Sequence, residues 1–253
     1  MIIIDLGGII IYREKSNAEK FLAIYNELDT YMRRELNVDS WISHKDLIRR
    51  LAEKGNLLIK YNADDLMTFA ELRNAIVHNP YKNQLDPIAE PHSIILSRYE
   101  NLRNKILKPP LALDTIAIKY KDIYKATLEE NTLTVMETMS KKSFTHVPVI
   151  EDGKLIGVFS ENTIFSFIVN NRNVIIDDEF KIKDFIDFIP INNHCSECFL
   201  FRPRNITVIE IVEVFKNDLI GSKRIAAVFI TNNGREDEKI LGLITPWDVI
   251  TVK

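Results

Sequence analysis

The chain has 253 residues, 46% of them hydrophobic, with a formal net charge of −3 and two cysteines. That length holds one large domain or two ordinary ones with their own cores, and no run of eighteen apolar residues is present to cross a membrane. The slight excess of acid excludes a protein that coats nucleic acid by charge alone.

The opening MIIIDLGGIIIY has neither a basic leader nor a small-residue cleavage site, so no signal peptide is expected. Gly7-Gly8 between apolar triplets suits a hairpin or a kinked strand. Ser16-Asn17-Ala18-Glu19 has the form of a capping box, after which Phe21, Ile24, Leu28, Tyr31 or Met32, and Leu36 recur at helical spacing. A second helix is predicted from Ser43, burying Leu47 and Leu51 and stopping at Gly55. A third runs from about Asp64 to His78, ended by Asn79-Pro80. Pro91 opens a fourth, with Ile95, Leu102 and Ile106 on one face. Four helices with modest connections read as a bundle.

Within the third helix the residues 72–80 read LRNAIVHNP. Arg-Asn followed by His near the end of a small bundle's third helix resembles the HEPN superfamily, over about residues 15–107. The resemblance implies a dimeric, metal-independent endoribonuclease with Arg73, Asn74 and His78 as catalytic residues and RNA as substrate. The chemistry is coherent. His serves as acid or base near neutral pH, Arg offers a planar fork to phosphate oxygens, and Asn74 sits one turn before His78. Arg73 and His78 are five residues apart and diverge by about 140° on a straight helix, which favours two motifs meeting in a dimer. A dimerisation or docking module without catalysis stands beside this reading. So does a plain structural role, with Arg73 paired to Asp64, Asp65 or Glu71 and His78 bonding its own helix end.

From Pro109 the period changes from helical to strand-like. Residues 148–160 read PVIEDGKLIGVFS before ENTIF, and residues 228–245 read VFITNNGREDEKILGLIT before PWDVI. Each is an apolar strand, a Gly-containing hairpin, a second strand with an internal Gly, then Ser or Thr opening a helix. The first copy is expected over about 112–170, with Leu133, Met136 and Met139 on its helix and strands at 146–151 and 155–159. The second covers about 182–253, with a helix near 206–216 and strands at 225–231 and 240–244.

The run GLITPWD at 242–248 resembles the CBS domain, a β-α-β-β-α module that works in pairs. The fold class is therefore α+β: a tandem CBS pair preceded by an all-α four-helix HEPN-like domain. Domains are expected at 1–108, 109–175 and 176–253.

The resemblance implies an adenine nucleotide as regulatory ligand (AMP, ADP or ATP, with a cyclic dinucleotide as an alternative) and no metal. In the family a Ser/Thr-x-x-Asp at the strand–helix junction holds ribose and phosphate, and Thr245-Pro246-Trp247-Asp248 matches it. Thr at the N-cap, Pro at N1 and an acid at N3 is also a sound helix start with no ligand. The first copy keeps Ser160 but has Thr163 where the Asp belongs, so one competent site per chain is expected. The partner repeat would line the adenine pocket near Ala126, Thr127 and Leu155.

Cys195 and Cys198, spaced C-S-E-C after His194, have no second pair to complete a zinc tetrahedron and read as two thiols on a connecting segment. His146 begins a core strand and reads as structural. The sum is a cytoplasmic, homodimeric regulatory protein, not bound to a membrane, that senses an adenine nucleotide and controls its helical domain.

Overall fold

The computed structural model describes residues 2–250 apart from residues 7, 8, 40, 78–86, 88, 173 and 218. The chain divides into two compact units, Met1–Pro109 and Pro110–Lys253.

The first unit begins with an antiparallel hairpin of β1 (Ile2–Leu6) and β2 (Ile9–Arg13), Leu6 opposite Ile9. Gly7 and Gly8 lie outside the described residues. The capping box at Ser16 and Glu19 opens α1 (Asn17–Leu36), a twenty-residue helix that buries Phe21, Ile24, Leu28 and Met32 at the expected spacing. Ser43 caps α2 (His44–Glu53), which buries Leu47, Ile48 and Leu51. Gly55, at φ +94°, takes the left-handed turn beyond its end. The next element departs from the four-helix expectation. Asn56 accepts from the Ile59 N–H and starts α3 (Leu57–Tyr61), five residues too short to show a helical period. Then come α4 (Ala63–Val77) and α5 (Ser93–Leu107). The helices share one core, centred on Phe21, Phe69 and Tyr99, whose rings lie 4.2–6.0 Å apart.

The second unit opens with α6 (Ala112–Thr115) and β3 (Ile118–Lys119). Its first half continues with α7 (Thr132–Lys142), β4 (His146–Glu151), β5 (Lys154–Ser160) and α8 (Glu161–Asn170). Its second half runs β6 (Glu197–Pro203), α9 (Val208–Lys216), β7 (Leu219–Ile220), β8 (Lys223–Thr231), β9 (Gly242–Ile244) and α10 (Pro246–Ile250). β4 pairs antiparallel with β5, and Ala126 bridges in parallel to Val149. In the second half β6 runs parallel to β8, with α9 as the crossover, and β8 pairs antiparallel with β9. The two halves thus share one order: strand, helix, antiparallel pair, helix.

Two differences from the sequence reading have physical reasons. β6 is not among the expected strands: Phe199 and Phe201 pack into one core and Cys198 and Leu200 into another, so its sequence lacks the alternation of a half-exposed strand. Cys198 accordingly sits in β6, not on a connection. On α7 the buried set is Thr132, Val135 and Met139, one residue along the helix from Leu133 and Met136.

The internal glycines do the same work in both halves. A Cβ on Gly157 would stand 2.3 Å from the Ile189 carbonyl oxygen, which instead accepts the Val158 N–H at 2.8 Å. A Cβ on Gly242 would stand 3.1 Å from the Ile118 carbonyl oxygen on β3. Each glycine lets another segment's backbone cross the strand. A shared core joins the halves, with Val158 and Ile150 packed among Phe199, Ala227, Phe229, Ile240 and Leu243.

Candidate functional site

In the second half, β9 ends and α10 begins at Thr245. The Thr245 N–H and hydroxyl both donate to Oδ2 of Asp248, at 2.7 and 2.8 Å, and the Asp248 N–H donates to the Thr245 carbonyl at 3.1 Å. This is half of a capping box, four residues closing on themselves: the acid at the third helical position accepts from the residue before the helix. Both side chains remain half-exposed, and Trp247 between them is 78% exposed. The junction therefore pairs a carboxylate with a hydroxyl at two partly accessible residues.

The equivalent junction in the first half is closed. Ser160 and Thr163 form a reciprocal capping box, and both are buried, at 0% and 2% exposure. Ser160 N–H donates to Thr163 Oγ1 at 3.1 Å and Thr163 N–H to Ser160 Oγ at 3.2 Å. Against this first turn of α8 lies Glu197, the first residue of β6, itself 2% exposed. Ser160 Oγ donates to Oε2 of Glu197 at 3.3 Å, and Asn162 Nδ2 donates to Oε1 at 2.6 Å. His146 Nε2 is 3.0 Å from Oε1, His194 Nδ1 is 3.5 Å from Oε2, and Arg224 Nη2 is 3.7 Å from Oε1. Burial by itself would raise the Glu197 pKa. Hydrogen bonds from His146, His194 and Asn162 outweigh it and hold the carboxyl well below the ordinary carboxylate range. Sequence reasoning missed Glu197; His146, expected to be structural, is one of its partners.

Leu155, on β5, is half-buried against the shared core, and the hairpin it belongs to touches the second half. The Ile240 N–H donates to the Gly153 carbonyl at 3.0 Å, and Lys154 bridges to Lys239. Thr127 is exposed at the start of the turn before α7, where its N–H donates to Glu130 Oε2 at 3.3 Å. The Ala126 N–H beside it bonds the Pro148 carbonyl at 2.9 Å.

On the helical unit, Arg73 and Asn74 lie on α4, and His78 lies outside the described residues. The Arg73 guanidinium stands 5.1 Å from the Tyr25 ring centre and donates to Asn74 Oδ1 at 3.3 Å. Two of the three acids expected as its partners are engaged elsewhere: Arg98 pairs with Asp65 at 2.7 Å and Lys45 with Glu71 at 2.9 Å. Tyr25 also stacks on His44 at 4.0 Å, and His44 Nδ1 lies 2.8 Å from Asp29. Burial acts to raise the Asp29 pKa, but hydrogen bonds with His44 and Arg33 bring it below its usual value.

Among the described residues, no group of three or more His, Cys, Asp or Glu side chains is placed to hold a metal ion, and no helix is long and apolar enough to cross a membrane. Residues 118–170 match the family model of the CBS domain. An uncharacterized protein of Methanocaldococcus jannaschii is 24% identical over 220 residues, 80% of this chain and 68% of that one. Among solved structures, a hemolysin-like CBS protein of Oenococcus oeni is 17% identical, covering 55% of this chain and 86% of its own, with a TM-score of 0.37. CBSX2, solved in complex with AMP, is 13% identical over 56% of this chain and 93% of its own, also at 0.37. Residues 118–170, from β3 through α7, β4 and β5 to the end of α8, are a CBS domain.

Proposed function

We propose that this protein is a regulator that senses an adenine nucleotide through a CBS pair and passes its occupancy to the helical unit. The observation that carries the reading is the contrast between the two strand–helix junctions. Both repeat the same backbone plan, but the first ends in Ser160 and Thr163, which are buried, and the second in Thr245 and Asp248, which are partly accessible and include a carboxylate. The residues fit the ligand. Asp248 would accept the two vicinal ribose hydroxyls, and Thr245 would bond phosphate or ribose. A cap made by those side chains does not oppose this, since two hydrogen bonds to Oδ2 also hold the carboxylate in one orientation. On this reading the protein works as a cytoplasmic homodimer, and nucleotide binding changes how the helical units pair or dock. Such coupling requires the ligand to bind two arrangements unequally.

The ribonuclease reading draws no support from the geometry at Arg73, whose guanidinium is held by Tyr25 and Asn74.

The test is thermal melting with AMP, ADP, ATP, NAD and cyclic dinucleotides, for the natural chain and Asp248→Ala. A ligand that binds only the folded state stabilises it by about 2.7 kcal/mol at a hundred times its dissociation constant. One adenine nucleotide should raise the midpoint of the natural chain and leave the variant unmoved. No shift with any of them would reduce the junction to a cap.

A further inference from the structure

We propose that Glu197 is a built-in anion that closes the first-repeat junction, occupying the place against Ser160 where a ligand's charge would otherwise go. That the second junction takes the nucleotide rests on the function proposed above. That the first is closed by Glu197 stands on geometry of its own.

A buried carboxylate is retained only when its oxygens are satisfied. Glu197 has five polar neighbours drawn from four stretches of chain. They are His146 on β4, Ser160 and Asn162 at the head of α8, His194 just before β6, and Arg224 on β8. Two can carry positive charge as imidazolium and one always does as guanidinium. That is a donor set suited to phosphate, assembled around a side chain of the protein itself. The Ser160 and Thr163 N–H groups are spent within the cap, and the Ser160 hydroxyl and the Asn162 amide donate to Glu197, so a second anion would have to displace its carboxylate to reach them. The missing acid at position 163 and the added acid at position 197 thus act together. An aspartate at 163 would face Glu197 across Ser160 Oγ, which lies within 3.3 Å of both Thr163 Oγ1 and Glu197 Oε2.

The experiment is chemical rescue. Glu197→Ala removes the internal anion and leaves its donors around a small empty space. Its melting midpoint should fall by several degrees, then recover in part and saturably with formate or inorganic phosphate but not with chloride at matched ionic strength. The natural chain should show no such dependence. Glu197→Gln keeps the shape without the charge, so it should melt below the natural chain and ignore formate. Equal responses to formate and chloride in the Ala variant overturn the proposal. Should that variant fail to fold, a Gln variant melting with the natural chain overturns it instead. Equilibrium dialysis with AMP separates the two ideas. One AMP bound per chain agrees with both and two per chain sinks the closed first site; if neither AMP nor, in the same dialysis, ADP, ATP or a cyclic dinucleotide binds, the nucleotide reading falls and the anion rescue is judged alone.

Discussion

The two halves of the second unit are built alike and finished differently. Each threads a strand, a helix and an antiparallel pair into a helix cap, and each sets a glycine where a crossing backbone needs room. At the caps they diverge. Ser160 and Thr163 are sealed beneath Glu197, whereas Thr245 and Asp248 remain half-exposed. A duplicated backbone therefore does not imply a duplicated site. On the proposal above, two side-chain positions, 163 and 197, separate them.

The largest effect tests how far the likeness extends. Gly157→Ala places a methyl 2.3 Å from the Ile189 carbonyl oxygen, whereas Gly242→Ala meets the flexible end of Leu113 at 3.0 Å and the Ile118 carbonyl oxygen at 3.1 Å. Overpacking typically costs about 1–3 kcal/mol and occasionally more. The first substitution should exceed about 3 kcal/mol and the second should cost about 1 kcal/mol. Urea unfolding would measure both. Equal costs would mean that the two strands yield equally, and that the glycines are not set apart by what crosses them.

Next is Glu197→Ala, expected to cost about 3 kcal/mol because it strips a buried charged cluster of its counter-ion. The pH dependence sharpens it. The folded carboxyl titrates below its unfolded value of about 4.3, so its stabilising effect is complete above about pH 5 and is lost as pH falls through the folded value. The gap between natural chain and variant should be widest near neutrality and should narrow below about pH 4. His146, His194 and Arg224 are the charged or titratable groups facing it, and their response in the variant supplies the baseline. A gap that widens on acidification would contradict the ion-pair account.

How much of this was legible in sequence follows from distance along the chain. Caps and periods are local, so the Ser16–Glu19 box, the Ser43 cap and the buried face of α1 could be read directly. The repeated hairpins gave away β4, β5, β8 and β9 because each half supports the other's reading. Glu197 could not be read in this way. Its partners Ser160 and His146 are 37 and 51 residues away, and nothing within C-S-E-C signals that its carboxylate turns inward. α3 escaped for the opposite reason, being too short for any period. Arg73 was visible as a motif, but its engagement with Tyr25 depends on how α1 and α4 pack.

A third prediction asks whether the difference can be undone at one position. Thr163→Asp restores the acid that the second junction carries. Thr163 is 2% exposed, and its hydroxyl shares Ser160 with Glu197. The new carboxylate would meet an existing one in a buried setting, so it should destabilise by about 2 kcal/mol and create no second nucleotide site. Dialysis showing a second bound nucleotide in this single variant would mean that Glu197 does not close the junction. Paired with Glu197→Ala, the same substitution should be tolerated better than alone, because the two positions share a partner and their effects are not additive.

The smallest effect bears on the open junction. Asp248→Ala removes a capping partner and should cost about 1 kcal/mol in the absence of ligand, the ordinary worth of such a cap. The value of the measurement lies in comparing that cost with the change in ligand response. If Asp248 only caps, Asp248→Asn, which keeps an oxygen to accept from Thr245, should recover most of the lost stability and leave any nucleotide shift intact. If the carboxylate holds two ribose hydroxyls, the same Asn variant should recover stability yet bind more weakly, since one of its two acceptor oxygens has become a donor amide. Stability and binding would then separate at a single residue, which a purely structural cap cannot produce.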